Sequence, residues 1–525
     1  MLKHLLPHTL IILCVSGLQA QIKNILISTA SEPEEVSIAI NPKNTREIIA
    51  GANLASYYYS HDAGKTWERK VLKCPAYNVW GDPVVFWDTL QNAYYMHLSN
   101  PSPKIAPDGS WVDRIVVNKS TDKGLTYPNC YAFGKSGKKV QDKHWAAVSP
   151  LTNHIHVTWT QFDKYESKDP KDYSIIRYAR SEDGGISWTE PKRISFYAGD
   201  CIDSDNTVEG AVPSVGPNNE IYVAWAGPKG LVFNRSLDNG NTWLEKELIL
   251  DSIPDGWDYK ISGLYRANGL PFTACDLSKG PYRGRIYICW SDAKFGTNNK
   301  DVFLTYSDDG GKTWSDRTLI TYYPNHKQQF MPHFTVDQTT GYLYVLYYDR
   351  RNYSVTDLTD VFLSVSRDGG KSFTHHRINE TPFTPHKEIF FGDYIGISAH
   401  NGIIRPMWMQ MDEKKKLGVY TALLTDSMLL QYKEASTIAF NKSLTPAYGK
   451  KTSVSFTALS DGRYDAFIYK ANDPAFEQKI AVNKKLRTGV NTLSVNFKKL
   501  KLPKGTYVLM LYNNNRSEYV WITEE

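Results

Sequence analysis

Ionisable residues stand at the starts of short apolar segments that recur along the chain. The segments read EEVSIAINP from Glu34, GDPVVFWD from Gly81, KHWAAVSP from Lys143, EGAVPSVGP from Glu209, LPFTACD from Leu270, MPHFTVD from Met331 and GDYIGISA from Gly392. Two carboxyl groups at one site can act as general acid and as base or nucleophile in glycoside hydrolysis. The catalytic candidates are Glu209, Asp82, Asp393 and, as an alternative nucleophile, Tyr394; the candidate substrate-binding residues at the same starts are Glu35, His144 and His333. The other interpretation is that these polar groups satisfy one another and buried water around a channel.

Two adjacent arginines, Arg350 and Arg351, follow an apolar segment in the run YDRR. A pair of guanidinium groups can hold an anionic sugar through bidentate hydrogen bonds, which lysine cannot reproduce. We therefore expect both arginines to bind substrate, with a salt bridge inside the loop as the alternative.

A second repeat defines the elements that must position these residues. The pattern Ser-x-Asp-x-Gly-x-Ser/Thr-aromatic occurs six times, from SHDAGKTW at Ser60 to SRDGGKSF at Ser366. Its aspartates are Asp62, Asp122, Asp183, Asp238, Asp309 and Asp368, separated by 60, 61, 55, 71 and 59 residues. This period suits a four-stranded sheet repeated around an axis and is too long for a helical hairpin. In each copy the Asp accepts hydrogen bonds from its own turn and the Gly supplies a positive φ.

The repeated phrase resembles the Asp-box (BNR) hairpin of sialidase-like β-propellers. The resemblance implies an all-β propeller in which the boxes are structural and lie on the face opposite the active site. Sialidases of this fold use an arginine triad, a Tyr nucleophile helped by a Glu, an Asp acid/base and an early Arg-Ile-Pro motif. The corresponding region here reads ASEPEEVSIAINP from Ala30, without arginine. No triad can therefore be assigned residue by residue.

Seven apolar starts against six boxes predict a seven-bladed propeller over residues 21–430, with six blades as the alternative. We expect the N-terminal ILISTA, from Ile25, to pair with the last unit and close the ring. Alternating segments after Gln431 predict a small β-sandwich over 431–525. Its ending, LPKGTYVLMLYNNNRSEYVWI from Leu502, resembles sorting domains of the Bacteroidetes type IX secretion route; the alternative is an accessory β-domain.

Residues 1–20 combine a basic start, an apolar stretch and a small-residue exit, as in a secretory signal peptide, so we expect a secreted or cell-surface protein. No later segment is apolar over a membrane-spanning length. Beyond the signal stand five cysteines, of which Cys275 and Cys289 are one candidate disulfide. The absence of CxxC and HxxxH spacing predicts no metal site, and no cofactor is expected. The formal charge of +6 is concentrated after Gln431, and the nearly neutral body argues against a nucleic-acid partner.

Three functions fit these features. A glycoside hydrolase acting on terminal sugars of acidic or decorated glycans is favoured. A propeller that binds a glycan or protein without catalysis is the first alternative. The second is a polysaccharide lyase with His144 or Tyr394 as base and Arg350 or Arg351 neutralising a uronate.

Overall fold

The protein is almost entirely β-structure. A computed structural model describes residues 22–99, 112–321, 323–353, 356–432, 438–440, 451–470, 473–502, 505–513 and 516–522. The first sheets contain β1 (Asn24–Ser28), β2 (Ser37–Ile40), β3 (Ile48–Ala52), β4 (Ser56–Ser60), β5 (Glu68–Val71), β6 (Val84–Trp87), β7 (Ala93–Ser99), β8 (Arg114–Ser120) and β9 (Asn129–Phe133). Next come β10 (Val140–Val148), β11 (Ile155–Phe162), β12 (Ser174–Ser181), β13 (Lys192–Arg193), β14 (Glu209–Val215), β15 (Ile221–Gly227), β16 (Gly230–Ser236) and β17 (Leu248–Asp251).

The second half of the chain continues the pattern. A short hairpin, β18 (Asp258–Tyr259) and β19 (Ala267–Asn268), precedes β20 (Phe272–Cys275), β21 (Ile286–Asp292), β22 (Asp301–Ser307) and β23 (Thr318–Leu319). Then follow β24 (Gln329–Val336), β25 (Leu343–Asp349), β26 (Asp360–Ser366), β27 (Thr374–Arg377), β28 (Gly396–His400), β29 (Ile403–Met411), β30 (Leu417–Ala422), β31 (Leu424–Thr425) and a helix, α1 (Asp426–Gln431). The tail contains β32 (Ile438–Phe440), β33 (Lys451–Ala458), β34 (Gly462–Lys470), β35 (Asp473–Leu486), β36 (Gly489–Asn496), β37 (Tyr507–Asn513) and β38 (Arg516–Ile522).

The strands before the tail form a ring of antiparallel sheets around an axis. In the described part of the chain there are seven such sheets, which begin at β2, β6, β10, β14, β20, β24 and β28. Each of these first strands contacts the first strand of the next sheet, and β28 contacts β2. The chain is thus an all-β propeller, in which the starts of the first strands share one face and the Asp boxes lie on the other.

The ring is closed because the first strand of the chain pairs with the last sheet. β1 pairs antiparallel with β30 and is the outer strand of the last sheet, as predicted for ILISTA. The Asn24 side chain also ties β1 to the segment after β27 of the preceding sheet, by donating to the Ile378 carbonyl and accepting from the Glu380 amide, both at 2.7 Å. This pairing covers a sheet edge that would otherwise be free.

All six boxes have the predicted turn. In the third, Asp183 accepts from the hydroxyl of Ser181 at 2.9 Å and from the amide and hydroxyl of Ser187 at 2.9 and 2.5 Å. Burial pushes the pKa of Asp62 up, but hydrogen bonds from its turn outweigh burial and bring the pKa to about 2. The equivalent contacts in the other boxes are made by Asp62, Asp122, Asp238, Asp309 and Asp368.

An arginine from the preceding sheet contacts four of these turns. Arg285 donates to the Gly369 carbonyl and Arg405 to the Ala63 carbonyl, each at 2.8 Å. The other two pairs are Arg180 with Asn239 and Arg235 with Gly310. The boxes therefore also help to join neighbouring sheets.

One disulfide joins the outer parts of the first two sheets. It links Cys74 and Cys130, and the cysteines Cys201, Cys275 and Cys289 are free and buried. The candidate disulfide between Cys275 and Cys289 is wrong, because the register sets Cys275 opposite Ile286 and Cys289 opposite Phe272.

The tail forms two sheets over a core of its own. They are ordered β32-β33-β36 and β35-β34-β37-β38 and enclose apolar side chains such as Val454, Ile468 and Leu509. The tail contacts the propeller where Tyr323 donates to the Ser517 carbonyl, at 3.0 Å. The division at residues 430 and 431, the signal peptide at 1–20 and the sorting role stay predictions; residues 1–20 lie outside the described part of the chain.

Candidate functional site

A repeated backbone feature aims side chains at the propeller axis. Near the beginning of several first strands one residue has a positive φ: 51° at Glu35, shortly before β2, 52° at Asp82, shortly before β6, and 47° at Lys143, within β10. Next to Lys143 the ladder of β10 and β11 shifts register, as in a β-bulge. Such a conformation is unfavourable for a residue with a side chain, and bulges commonly re-aim side chains near functional sites. We call this place the bulge position.

Lys143 is the centre of the resulting cluster. Its ammonium nitrogen lies 2.6 Å from Asp393 Oδ2, 3.9 Å from Glu35 Oε1 and 4.0 Å from Asp82 Oδ2. Arg266, on the β18–β19 hairpin, makes a bidentate ion pair with the same Asp393 carboxylate. The cluster is thus an acidic site held together by one buried lysine and one arginine that comes from an inserted hairpin. We call it the Lys143 cluster.

The carboxyls around Lys143 differ in their tendency to hold a proton. Burial raises the pKa of Asp393, but Lys143 and Arg266 outweigh it and hold the pKa well below its usual range, so this group is ionised. Burial, followed by the nearby Asp82 carboxylate, raises the pKa of Glu35 well above its ordinary value. Environments that separate pKa values in this way are typical of acid and base pairs.

A second pair of carboxyls, Glu209 and Asp203, lies close enough to Lys143 for the lysine to affect the pKa of Glu209. Glu209 is fully buried, and neither of its carboxyl oxygens has a hydrogen-bond partner among the described residues. Burial, followed by the Asp203 carboxylate, raises the pKa of Glu209 well above normal. Asp203 accepts a hydrogen bond from the Tyr165 hydroxyl at 2.6 Å. Asp142, the residue before Lys143, is also affected: burial raises its pKa to about 7. In each of the two pairs, Glu35 with Asp82 and Glu209 with Asp203, a buried glutamic acid is therefore accompanied by a more accessible aspartate.

Aromatic rings form the floor beneath the cluster. Trp145 lies with its ring centre 5.5 Å from those of Phe272 and Tyr394 and 5.6 Å from that of His333. Burial lowers the pKa of His144 and of His333 to about 4, so both rings are neutral at pH 7. Burial, followed by Asp82 and Glu35, raises the pKa of Tyr394 well above normal, which keeps its phenol protonated.

A cavity of about 260 Å³ opens above the cluster. It is lined by Lys143, Asp203, Trp257, Asp258, Tyr259, Lys260, Tyr265, Arg266, Ala267, Asn268 and Asp393. A smaller space of about 30 Å³ beside it is lined by Asp82, Lys143, Asp393 and the apolar floor. Ligand sites are usually about 300–1,000 Å³, so the larger cavity suits the end of a chain, such as one sugar residue. Within the described part of the chain, no group of three His, Cys, Asp or Glu side chains has the geometry to hold a metal ion.

Most of the predicted site residues come together here. Glu35, Asp82 and Asp393 contact the Lys143 ammonium, while Tyr394 and His333 form part of the floor. His144 and Tyr394 also line the smaller space. Glu209 lies behind Asp203, which is one of the residues that raise its pKa.

Arg350 and Arg351 do not join the cluster. Arg350 is bound by Asp357, Thr359 and the Ser262 carbonyl, and neither arginine lines the cavities described above. Arg351 pairs with Asp349 at 2.7 Å and lies over the ring of Tyr323 beside the tail. The alternative interpretation, a salt bridge within the loop, describes Arg350 with Asp357, whereas the partner of Arg351 is Asp349 at the end of β25.

Sequence reasoning missed Lys143, Arg266, Asp142 and Asp203. Lys143 is directly before the predicted His144, and the lysine occupies the bulge position. The sequence did contain one indication of the segment that carries Arg266. The spacing of 71 residues between Asp238 and Asp309 is the longest of the five, because the β18–β19 hairpin is inserted there.

The fold, the boxes and the axial site define a β-propeller of the Asp-box type. The family described as "BNR repeat-like domain" matches residues 175–387, and the "BNR/Asp-box repeat" matches residues 58–69. Together with the six boxes, these matches support a β-propeller built from sialidase-like BNR repeats.

Comparison with known proteins gave distant similarities. No curated protein matches the chain. A sialidase of Trypanosoma rangeli in complex with the inhibitor DANA is 11% identical, with 87% of this chain and 85% of that chain covered and a TM-score of 0.40. A polysaccharide lyase, the PL25 ulvan lyase, is 12% identical, with 77% and 96% covered and a TM-score of 0.45. An α-L-arabinanase of Penicillium chrysogenum is 15% identical, with 69% and 99% covered and a TM-score of 0.41.

Proposed function

We propose that the chain is a secreted glycoside hydrolase that removes terminal sugars from acidic or decorated glycans, with the Lys143 cluster as its active site. The observation that carries this proposal is the pairing of buried, proton-holding glutamic acids with more accessible aspartates, of which Asp203 lines the larger cavity and Asp82 the smaller space beside it. Hydrolysis of a glycosidic bond needs two carboxyl groups in different protonation states.

The aspartates are the members of each pair that a substrate can reach. The side chains of Asp82 and Asp203 are each 12% exposed, whereas Glu35 is 3% exposed and Glu209 is fully buried. One aspartate, in its protonated form, would donate a proton to the leaving glycosidic oxygen. The other, as a carboxylate, would attack the sugar or activate water. Glu35 and Glu209 are then positioning residues, and the protonated phenol of Tyr394 is a weaker nucleophile than a carboxylate.

The cavity is lined by three cations, Lys143, Lys260 and Arg266, and by three carboxyl groups, so an acidic substrate would be bound through the more exposed of these cations. Arg266 remains 38% exposed although it holds Asp393, and Lys260 lines the same cavity. The exposed guanidinium edge of Arg266 can bind a sugar carboxylate or sulfate. The lyase alternative is less well supported, because Arg350 and Arg351 are occupied in ion pairs outside the cavities.

Export rests on residues 1–20 and is supported by the Cys74–Cys130 disulfide, since disulfides persist in oxidising compartments. Among the described residues no helix has the length and apolar character to cross a membrane.

The test is release of a monosaccharide from a panel of sialylated, uronic-acid and sulfated glycans. Asp82→Asn and Asp203→Asn should each reduce turnover by about a hundredfold or more, as expected for loss of acid–base catalysis. Asp316→Asn is the matched control, because this exposed carboxylate lies near the Asp309 box on the opposite face. Full activity in both active-site variants would contradict the assignment.

Two other outcomes would identify the alternatives. Binding of a panel glycan that stays intact after long incubation with the folded protein would favour the binding propeller. A product with a new ultraviolet absorbance would be the unsaturated sugar made by a lyase.

A further inference from the structure

An exposed aromatic platform lies at the outer edge of the third and fourth sheets. Phe196 is 52% exposed, and its ring centre is 5.2 Å from that of Tyr197 at an interplanar angle of 89°. Large apolar side chains are usually buried, so a paired Phe and Tyr at the surface need a reason. We call this pair and the lysines beside it the Phe196 platform.

The backbone beneath the platform is held from both sides. The Glu247 carboxylate, itself buried, accepts the amides of Phe196 and Tyr197 at 2.7 and 3.0 Å. Arg193 donates to the carbonyls of Ser195 and Phe196 at 2.6 and 2.8 Å. The rings are therefore presented by a fixed support that joins two sheets, and the Glu247 oxygens are occupied by these amides.

Two lysines surround the rings. The Lys246 ammonium lies 5.3 Å from the ring centre of Phe196 and 4.9 Å from that of Tyr197, and Lys229 lies 5.1 Å from Tyr197. Cation–π contacts at an exposed site are weak, and a bound ammonium keeps its hydrogen-bond donors available. The platform therefore combines apolar ring faces with positive charge.

The platform shares a face of the propeller with the cavity. Lys229 is in the turn between β15 and β16, the second and third strands of the fourth sheet. In an antiparallel sheet this turn is on the same side as the start of the first strand, where Glu209 is found. The third and fourth sheets also provide Lys143 and Glu209 at their inner strands, so a chain that leaves the cavity outward can pass over these two sheets.

We propose that the Phe196 platform is a binding site for an anionic polysaccharide, separate from the cavity. The ring faces stack on the apolar C–H faces of sugar residues, and Lys229 and Lys246 bind their carboxylates or sulfates. The platform binds the polymer whether or not the Lys143 cluster turns it over.

Affinity electrophoresis of the full chain tests the proposal. The gels contain dextran sulfate, polygalacturonate or neutral dextran, so that sulfate and carboxylate recognition are measured separately. We expect retardation by at least one anionic polymer and none by neutral dextran. Phe196→Ala and the double variant Lys229→Ala/Lys246→Ala should each weaken retardation about fivefold. The control is Ile186→Ala/Lys312→Ala, which removes an exposed apolar residue and a lysine from box turns on the opposite face.

Several results would overturn the proposal. If Lys229→Ala/Lys246→Ala weakens the retardation and Phe196→Ala does not, the retardation is simple ion exchange. Equal retardation by neutral dextran would show that the charge of the polymer is not recognised. Binding to phosphatidylglycerol vesicles without binding to any polysaccharide would identify a membrane surface as the partner. Hydrolysis of a small aryl glycoside is measured in parallel. If the platform variants hydrolyse it as fast as the unchanged protein but are retarded less by the polymer, the platform is a separate binding site. If no protein hydrolyses it, the proposed enzyme activity is contradicted, and the polymer retardation still tests the platform.

Discussion

Replacement of Lys143 by Met tests whether one ammonium holds the axial cluster together. Met keeps the length of the side chain and removes its charge. Asp393 would retain Arg266 as a partner, while Glu35 and Asp82 would lose the ammonium that lies 3.9 and 4.0 Å from their carboxyl oxygens. Loss of one partner from a buried ion pair costs about 3–5 kcal/mol.

The size of this loss should depend on pH. The pKa of Lys143 is raised in the folded state, so its stabilising effect is present throughout the range below the ordinary lysine pKa and is complete at pH 7. At lower pH the carboxyls around the missing ammonium take up protons and repel each other less. We expect the loss in free energy of unfolding to be at least about 1 kcal/mol smaller at pH 5 than at pH 7.5, the value of roughly one pKa unit.

Urea unfolding at pH 5 and 7.5 measures both quantities. Lys123→Met is the matched control: Lys123 pairs with Glu47 at 2.5 Å, but its side chain is 51% exposed against 12% for Lys143. Because Lys123 is largely exposed and Glu47 also accepts from Asn41 and Asn44, this pair should contribute less than about 1 kcal/mol. A Lys143→Met variant that loses no more than the control, or whose loss is the same at both pH values, would refute the central role of this lysine.

Three further predictions concern pH, the disulfide and the tail. The pKa of Asp142 is raised to about 7, so the stability that its proton contributes is complete below about pH 4 and is lost as the pH rises to about 7. The variant Asp142→Asn should therefore show a smaller fall in unfolding free energy between pH 4 and pH 7. A pH profile from urea unfolding that is the same as that of the unchanged protein would contradict this. Replacing Cys74 and Cys130 by Ser opens a link between positions 56 residues apart and should lower the unfolding free energy by up to about 4 kcal/mol; equal midpoints in urea with and without reductant would contradict it. A chain ending at Leu430 should still unfold in one cooperative calorimetric transition, because β1 closes the ring without the tail; aggregation of that chain alone would place the boundary elsewhere.

The repeats made most of the fold predictable. Each box carries its own hydrogen bonds within a few residues, as at Asp183, so its sequence is enough to define the turn. The closing strand was predictable for a different reason: β1 was a strand without a unit and the last unit lacked a strand. The register between two strands is harder to infer than their pairing: the Cys275–Cys289 error arose because the register of the consecutive strands β20 and β21 cannot be read from composition.

The site was predictable in its region but not in its register. A shift of one residue decides whether Lys143 or His144 occupies the bulge position, and the alternating direction of side chains makes that shift change the chemistry. Arg266 reaches Asp393 across 127 positions of the chain, so no local pattern connects them. Arg350 and Arg351 were misleading because carboxylates a few residues away, Asp357 and Asp349, neutralise them.

The pairing of β1 with β30 also constrains how the protein is made. Asn24 lies opposite Ala422, so the ribosome must synthesise nearly the whole propeller before the first strand finds its place. Until then the growing chain is an open row of sheets with an unpaired strand at one end, a form prone to pairing with other chains. A nascent chain arrested before β30 should therefore need protection by a chaperone, whereas one arrested after it can close the ring by itself.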